Sequence, residues 1–163
     1  MSRVRLTRQY FLNQSFTAVF VISVIALIAS FAAETLTKIT ACRICNIQRA
    51  CYFTIMPICL SGIFTAKKNV IGFIILLLSF GSFSIASYHV GIQLGFFSDT
   101  CVINSPADLN EFKKMMFHST PSCSTISWLF GLPISVWSLL VSLACFSIIA
   151  IALKRNNFGH RLN

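Results

Sequence analysis

Two cysteines three residues apart, Cys42 and Cys45, with an arginine at position 49, are the residues of this 163-residue chain best equipped for chemistry. A Cys-x-x-Cys pair cycles between dithiol and disulfide. Residues three apart on a helix hold their Cβ atoms about 5–6 Å apart, while a relaxed disulfide needs about 3.5–4.5 Å. Closing the bond there takes local distortion, which leaves it readily reduced. Arg49 lies four residues beyond Cys45, on the same face once a helix has begun, and a cation one turn away favours the thiolate. An uncharged apolar run starts directly after it, at Ala50. A dithiol at the mouth of a membrane span, beside a fixed positive charge, can hand electrons to an acceptor dissolved in lipid.

The chain has seven cysteines, so at least one stands outside any internal disulfide. Cys101 and Cys123 form a second pair in a long polar stretch. As a permanent staple they would contribute about 3–3.5 kcal/mol in the chain-entropy model, but two pairs on one side of a membrane can also exchange through mixed disulfides. Spacing leaves both roles open. Cys51, Cys59 and Cys145 fall inside apolar runs, where free cysteine behaves as a small hydrophobe. His89 follows Tyr88 at the end of an apolar run, placed to hydrogen-bond an acceptor oxygen, to move a proton, or simply to meet the interface. Two rival chemistries use the same cysteines: a zinc centre from Cys42, Cys45, Cys101 and Cys123, or two inert disulfides in a structural subunit.

The elements that must position these residues are membrane helices. Hydrophobic residues make up 56% of the chain and charged ones only 10%, against about 25% charged in a soluble domain. Mean hydropathy is +0.79. The spacing predicts one domain with spans at about 16–33, 50–66, 70–89 and 132–153, and polar loops at about 34–49 and 91–128. The first run is longer than the roughly 7–15 residues of a signal-peptide core, which predicts a retained helix rather than a cleaved leader. The net charge of +9 does not mark a nucleic-acid binder, because the basic residues are scattered between apolar runs. Eight of the thirteen Lys and Arg lie at the N-terminus, at Lys67-Lys68 and in the tail, and all four acids lie in the other two loops. The positive-inside rule then puts both termini in the cytoplasm and both cysteine pairs outside, where disulfides persist. Within the second outer loop, Ser105-Pro106-Ala107-Asp108 reads as a helix start, and Leu109, Phe112 and Met116 give it an apolar face.

These residues also carry a resemblance. Cys42-Arg43-Ile44-Cys45-Asn46-Ile47-Gln48-Arg49 resembles the Cys-x-x-Cys-x-x-Gln/Glu-Arg signature of the DsbB family of disulfide-forming membrane proteins. Tyr88-His89-Val90-Gly91-Ile92-Gln93 is similar to the end of that family's third helix, and Pro121-Ser122-Cys123 with Gly131 to Trp137 to its second outer loop and fourth-helix entry. The resemblance implies an all-α four-transmembrane-helix bundle in the bacterial inner membrane. It also implies an enzyme that reoxidises a periplasmic DsbA-like thiol oxidase and passes the electrons to a quinone. By position, Cys101–Cys123 would accept electrons from the partner through Cys101, Cys123 would exchange with Cys42, and Cys45 would face the quinone. Arg49 and, more weakly, His89 would complete the quinone site. A vitamin K epoxide reductase-like enzyme has the opposite order, with its Cys-x-x-Cys after the loop pair. No Gly-rich dinucleotide motif is present to hold a soluble nicotinamide.

Overall fold

The computed structural model describes residues 2–37, 41–65, 67–98, 123, 128–129 and 131–161. Four long helices dominate them: α1 (Ser2–Thr37), α2 (Arg43–Phe64), α3 (Lys68–Gln93) and α4 (Ile134–Arg161). Each contains a stretch long and apolar enough to cross a bilayer. In lipid the backbone must satisfy its own hydrogen bonds, so apolar runs of this length become helices. Cys101 and the helix expected from Ser105 lie outside the described residues.

The helices close into a ring in which α1 packs on α2, α2 on α3, α3 on α4 and α4 back on α1. The core runs down the middle through Phe16, Val19, Ile55, Cys59, Ile75, Cys145 and Ile149. Large side chains such as Ile25, Phe53, Phe73, Leu77 and Ile151 point outward, as a lipid-facing surface requires. Small residues bring the helices close. A methyl on Gly62 would lie 2.9 Å from Ile71 Cγ2 and 3.0 Å from the Phe16 ring, and one on Gly72 would lie 2.9 Å from Leu153. Cys59 and Cys145 are free and fully buried in this core, while Cys51 is free and half-buried.

One end of the ring is tied by polar side chains. Lys68 donates to Asn13, Asn156 to Asn69, and the Arg155 guanidinium lies 4.5 Å over the Phe11 ring. The opposite end holds the chemistry. There α3 stops at a Schellman motif: Phe96 N–H reaches Gly91 O at 2.9 Å, Gly95 N–H reaches Ile92 O at 3.0 Å, and Gly95 takes φ +79°. A two-stranded ribbon, β1 (Trp128–Leu129) against β2 (Leu132–Pro133), leads into α4, and Gly131 supplies the positive φ of its turn.

The helices extend past the uncharged runs. α2 begins at Arg43, seven residues before Ala50, so the second cysteine and Arg49 already belong to the helix. The extension is possible because Arg49 is not left as a bare charge at the membrane surface: Glu34 near the end of α1 pairs with it at 2.7 Å.

Candidate active site

Cys42 is the N-cap of α2. Its backbone is extended (φ −66°, ψ 167°), its carbonyl accepts Asn46 N–H at 3.1 Å, and its sulfur accepts Cys45 N–H at 3.4 Å. The usual cap is Ser, Thr, Asp or Asn. A sulfur there sits at the positive end of the helix dipole, where an anion is favoured. Cys45 Sγ is 2.8 Å away, and both cysteines are free thiols. From α3, His89 Nε2 lies 3.9 Å from Cys42 Sγ, and the imidazole is 4% exposed.

This surrounding decides which sulfur carries charge. The hydrogen bond shared with Cys45 holds the Cys42 thiol well below the ordinary thiol range, helped by His89 and by the Cys45 N–H, while burial opposes them. These contacts favour negative charge on Cys42 in the reduced pair. A thiolate at the N-terminal cysteine of such a pair is the species that attacks a disulfide.

Cys123 is 1% exposed and joins Cys42, Ile44 and Ile92 in one buried cluster, with Cys45, Ile85 and Tyr88 packed against it. It is disulfide-bonded, and its partner lies outside the described residues. The fold thus brings an oxidised cysteine from the second loop to the reduced pair on α2. While it is disulfide-bonded, Cys123 offers no thiolate to a metal.

Arg49 is clamped to α1. Its Nε donates to Ser30 Oγ at 2.8 Å, Nη1 to Glu34 Oε2 at 2.7 Å and Nη2 to Ser30 O at 3.1 Å, and Cζ lies 4.5 Å over the Phe31 ring. The other Glu34 oxygen accepts Ala41 N–H at 3.2 Å, which fastens the segment just before Cys42. Cys45, Arg49, Phe53 and Met56 follow one another at helical spacing on the side of α2 that meets α1. Between α1 and α2 lies an apolar groove of about 550 Å³, walled by Leu27, Ile28 and Phe31 of α1 and by Phe53 and Met56 of α2.

The sequence reading singled out Cys42, Cys45, Arg49, His89 and Cys123, and the bundle gathers them at one end. It aims them differently: Arg49 bonds to Ser30 and Glu34, and His89 faces Cys42. Ser30, Glu34 and Phe31 were missed, although Glu34 is the sole acid of the first loop and Arg49, at the other end of that loop, was a natural partner. A polar seam deeper in the bundle was missed as well. Tyr52 OH meets Ser142 Oγ at 2.9 Å, and Ser142 meets Ser82 at 3.0 Å. The buried Gln48 Nε2, between that seam and the cysteines on the same α2 stripe as Ile44 and Tyr52, has no hydrogen-bond partner among the described residues.

A reduced Cys-x-x-Cys at the end of a membrane bundle, packed against a second-loop disulfide, is the arrangement for passing oxidation between sulfurs. The family model described as "Disulfide bond formation protein DsbB" matches residues 13–152, nearly the whole chain. The chain belongs to the DsbB family. It is accordingly a multi-pass membrane oxidoreductase that generates disulfides. No curated protein matches it in sequence.

Proposed function

We propose that the protein lies in the bacterial inner membrane with both termini cytoplasmic, reoxidises a periplasmic DsbA-like thiol oxidase, and delivers the electrons through two cysteine pairs to a membrane quinone. One observation carries this reading: a free Cys42–Cys45 dithiol and a disulfide-bonded Cys123 share a buried cluster at one end of the bundle. That is the state expected after the outer pair has been regenerated and before the inner pair is oxidised.

In this scheme a thiolate of the partner attacks Cys101 of a Cys101–Cys123 disulfide, and the partner's second thiol resolves the mixed disulfide. The partner leaves oxidised and the outer pair stays reduced. Cys123 then attacks Cys42 of the Cys42–Cys45 disulfide and displaces the Cys45 thiolate. Cys101 next attacks Cys123 and displaces the Cys42 thiolate, which the α2 N-terminus and His89 make a good leaving group. The outer disulfide is restored, and the two electrons now reside on Cys42 and Cys45.

The groove fits a quinone. It is apolar, its volume is typical of small-molecule sites, and Arg49 stacks on Phe31, one of its walls. Phe31, Phe53 and Met56 would hold the apolar body, and Arg49 would favour developing negative charge on an oxygen. The chemistry a quinone supplies is an acceptor for the two electrons and two protons that leave when Cys42 and Cys45 close to a disulfide. His89 would act through Cys42, by holding its sulfur as thiolate.

The test is turnover of purified protein with a reduced DsbA-like partner and a water-soluble quinone. Cys45→Ser and Cys101→Ser should each abolish it. Full activity in either variant would break the proposed relay.

A further inference from the structure

We propose that the reduced Cys42–Cys45 pair and His89 form a binding site for one soft divalent cation, Zn²⁺ or Cd²⁺, whose occupancy removes the dithiol from the relay. The site requires only these three side chains, and its effect on the relay rests on the function proposed above. One sulfur from each cysteine and one nitrogen of His89 all lie within 4.8 Å of one another. With Zn–S about 2.3 Å and Zn–N about 2.0–2.1 Å, a tetrahedral centre sets S···S near 3.8 Å and S···N near 3.6 Å (about, from those bond lengths). The Cys42–His89 separation is 3.9 Å, already close to that figure. The two sulfurs, 2.8 Å apart, must open by about 1 Å. Cys45 is the less buried of the pair, and the move falls to its side chain.

The donor set selects the ion. Two sulfurs and an imidazole suit Zn²⁺ or Cd²⁺ and not Mg²⁺ or Ca²⁺, which take oxygen ligands. Charge also balances: binding releases the thiol protons, and two thiolates neutralise the divalent ion without a further carboxylate. Of the two arginines beside the pair, Arg49 is paired with Glu34 at 2.7 Å and Arg43 is exposed to solvent. Three protein ligands leave a fourth position for water. A metal held this way ties up both sulfurs, so the pair cannot close to a disulfide and the relay stops. Oxidation of the pair removes both thiolates, so the site exists only in the reduced enzyme.

The experiment uses the full chain in detergent, reduced, with Cys101→Ala and Cys123→Ala to remove the outer pair as a competing ligand. Zn²⁺ is titrated and counted after dialysis, and Co²⁺ serves as the optical probe. One equivalent of Zn²⁺ per chain is expected in the reduced protein and none once Cys42–Cys45 is oxidised. Co²⁺ should give the intense visible bands of four-coordinate geometry together with thiolate charge transfer. His89→Gln should weaken binding at least tenfold, and Cys42→Ser should weaken it further. X-ray absorption of the Zn²⁺ form supplies a readout that needs no variant at His89: two sulfur and two nitrogen or oxygen scatterers are expected. Failure to bind one equivalent, affinity unchanged in His89→Gln, or a shell of three or four sulfurs would each overturn the proposal. Quinone reduction by the metal-free protein is measured separately, so loss of the metal site and loss of the relay are distinguishable.

Discussion

The reactivity of Cys42 against pH tests the electrostatics of the site in a single experiment. The perturbation is acidification of the reduced, chelator-treated protein from pH 7.5 to 5.5, with alkylation rates read peptide by peptide by mass spectrometry. An ordinary thiol with pKa of about 8.5 loses thiolate about 90-fold over that interval. Cys42 is different because its sulfur shares a hydrogen bond with Cys45 at 2.8 Å and meets His89 at 3.9 Å and the Cys45 N–H at 3.4 Å. A hydrogen bond to a charged group contributes about 1.5–3 kcal/mol, and 1.36 kcal/mol corresponds to about one pH unit, so these contacts outweigh the opposing burial. The sign follows: with a lowered pKa the thiolate persists as pH falls, and protonation comes only below the tested range. Cys42 alkylation should therefore drop less than about threefold, while the same peptide in urea-unfolded protein follows the ordinary curve. Its absolute rate at pH 8.5 should be lower than that of the unfolded thiolate, because intrinsic nucleophilicity falls with pKa. His89→Leu should move the inflection upward. A tenfold loss per pH unit at Cys42, or faster alkylation of Cys45 than of Cys42, would refute the reasoning.

Three further outcomes check the scaffold. Glu34→Gln should cost about 0.5–1.5 kcal/mol in thermal unfolding, since the Arg49–Glu34 pair is only partly exposed, and should raise the apparent KM for quinone by loosening Arg49; an unchanged KM would count against the clamp. Tyr52→Phe removes the buried bond to Ser142 and should lower stability by about 1 kcal/mol with the alkylation profile of Cys42 unaltered. Gly62→Val should destabilise by about 1–3 kcal/mol, because even a Cβ there meets Ile71 and Phe16 at 2.9 and 3.0 Å. A melting temperature equal to that of the parent would show that this helix contact is looser than described.

Much of the bundle was legible in the sequence because each apolar run had a length that lipid permits for a helix and almost nothing else. Arg49 being one turn from Cys45 was legible for the same reason, since helical spacing is local. The partners of Arg49 were not, because Ser30, Phe31 and Glu34 come from another helix, and reading them requires the rotation of α1 against α2. His89 was placed at the right end of the bundle from its position after Tyr88. That it turns to Cys42 depends on how the last turns of α3 are set, and the Schellman stop at Gly95 with Phe97 packed on Gly91 contributes to that setting. Cys42 as a sulfur N-cap was unreadable without knowing that α2 starts at Arg43, well before the charges end. The Cys45 N–H bond that this boundary gives to the Cys42 sulfur adds to the larger effect of the hydrogen bond between the two sulfurs.

The central claim is that the reduced Cys42–Cys45 pair gives its electrons to a lipid-soluble quinone. An anaerobic titration in liposomes tests it most directly: known amounts of a reduced DsbA-like partner are added to protein loaded with quinone, and quinol formed is compared with partner disulfide formed. One quinol per disulfide is predicted, with none from Cys45→Ser. Partner disulfides accumulating without quinol, or only when oxygen is admitted, would contradict it.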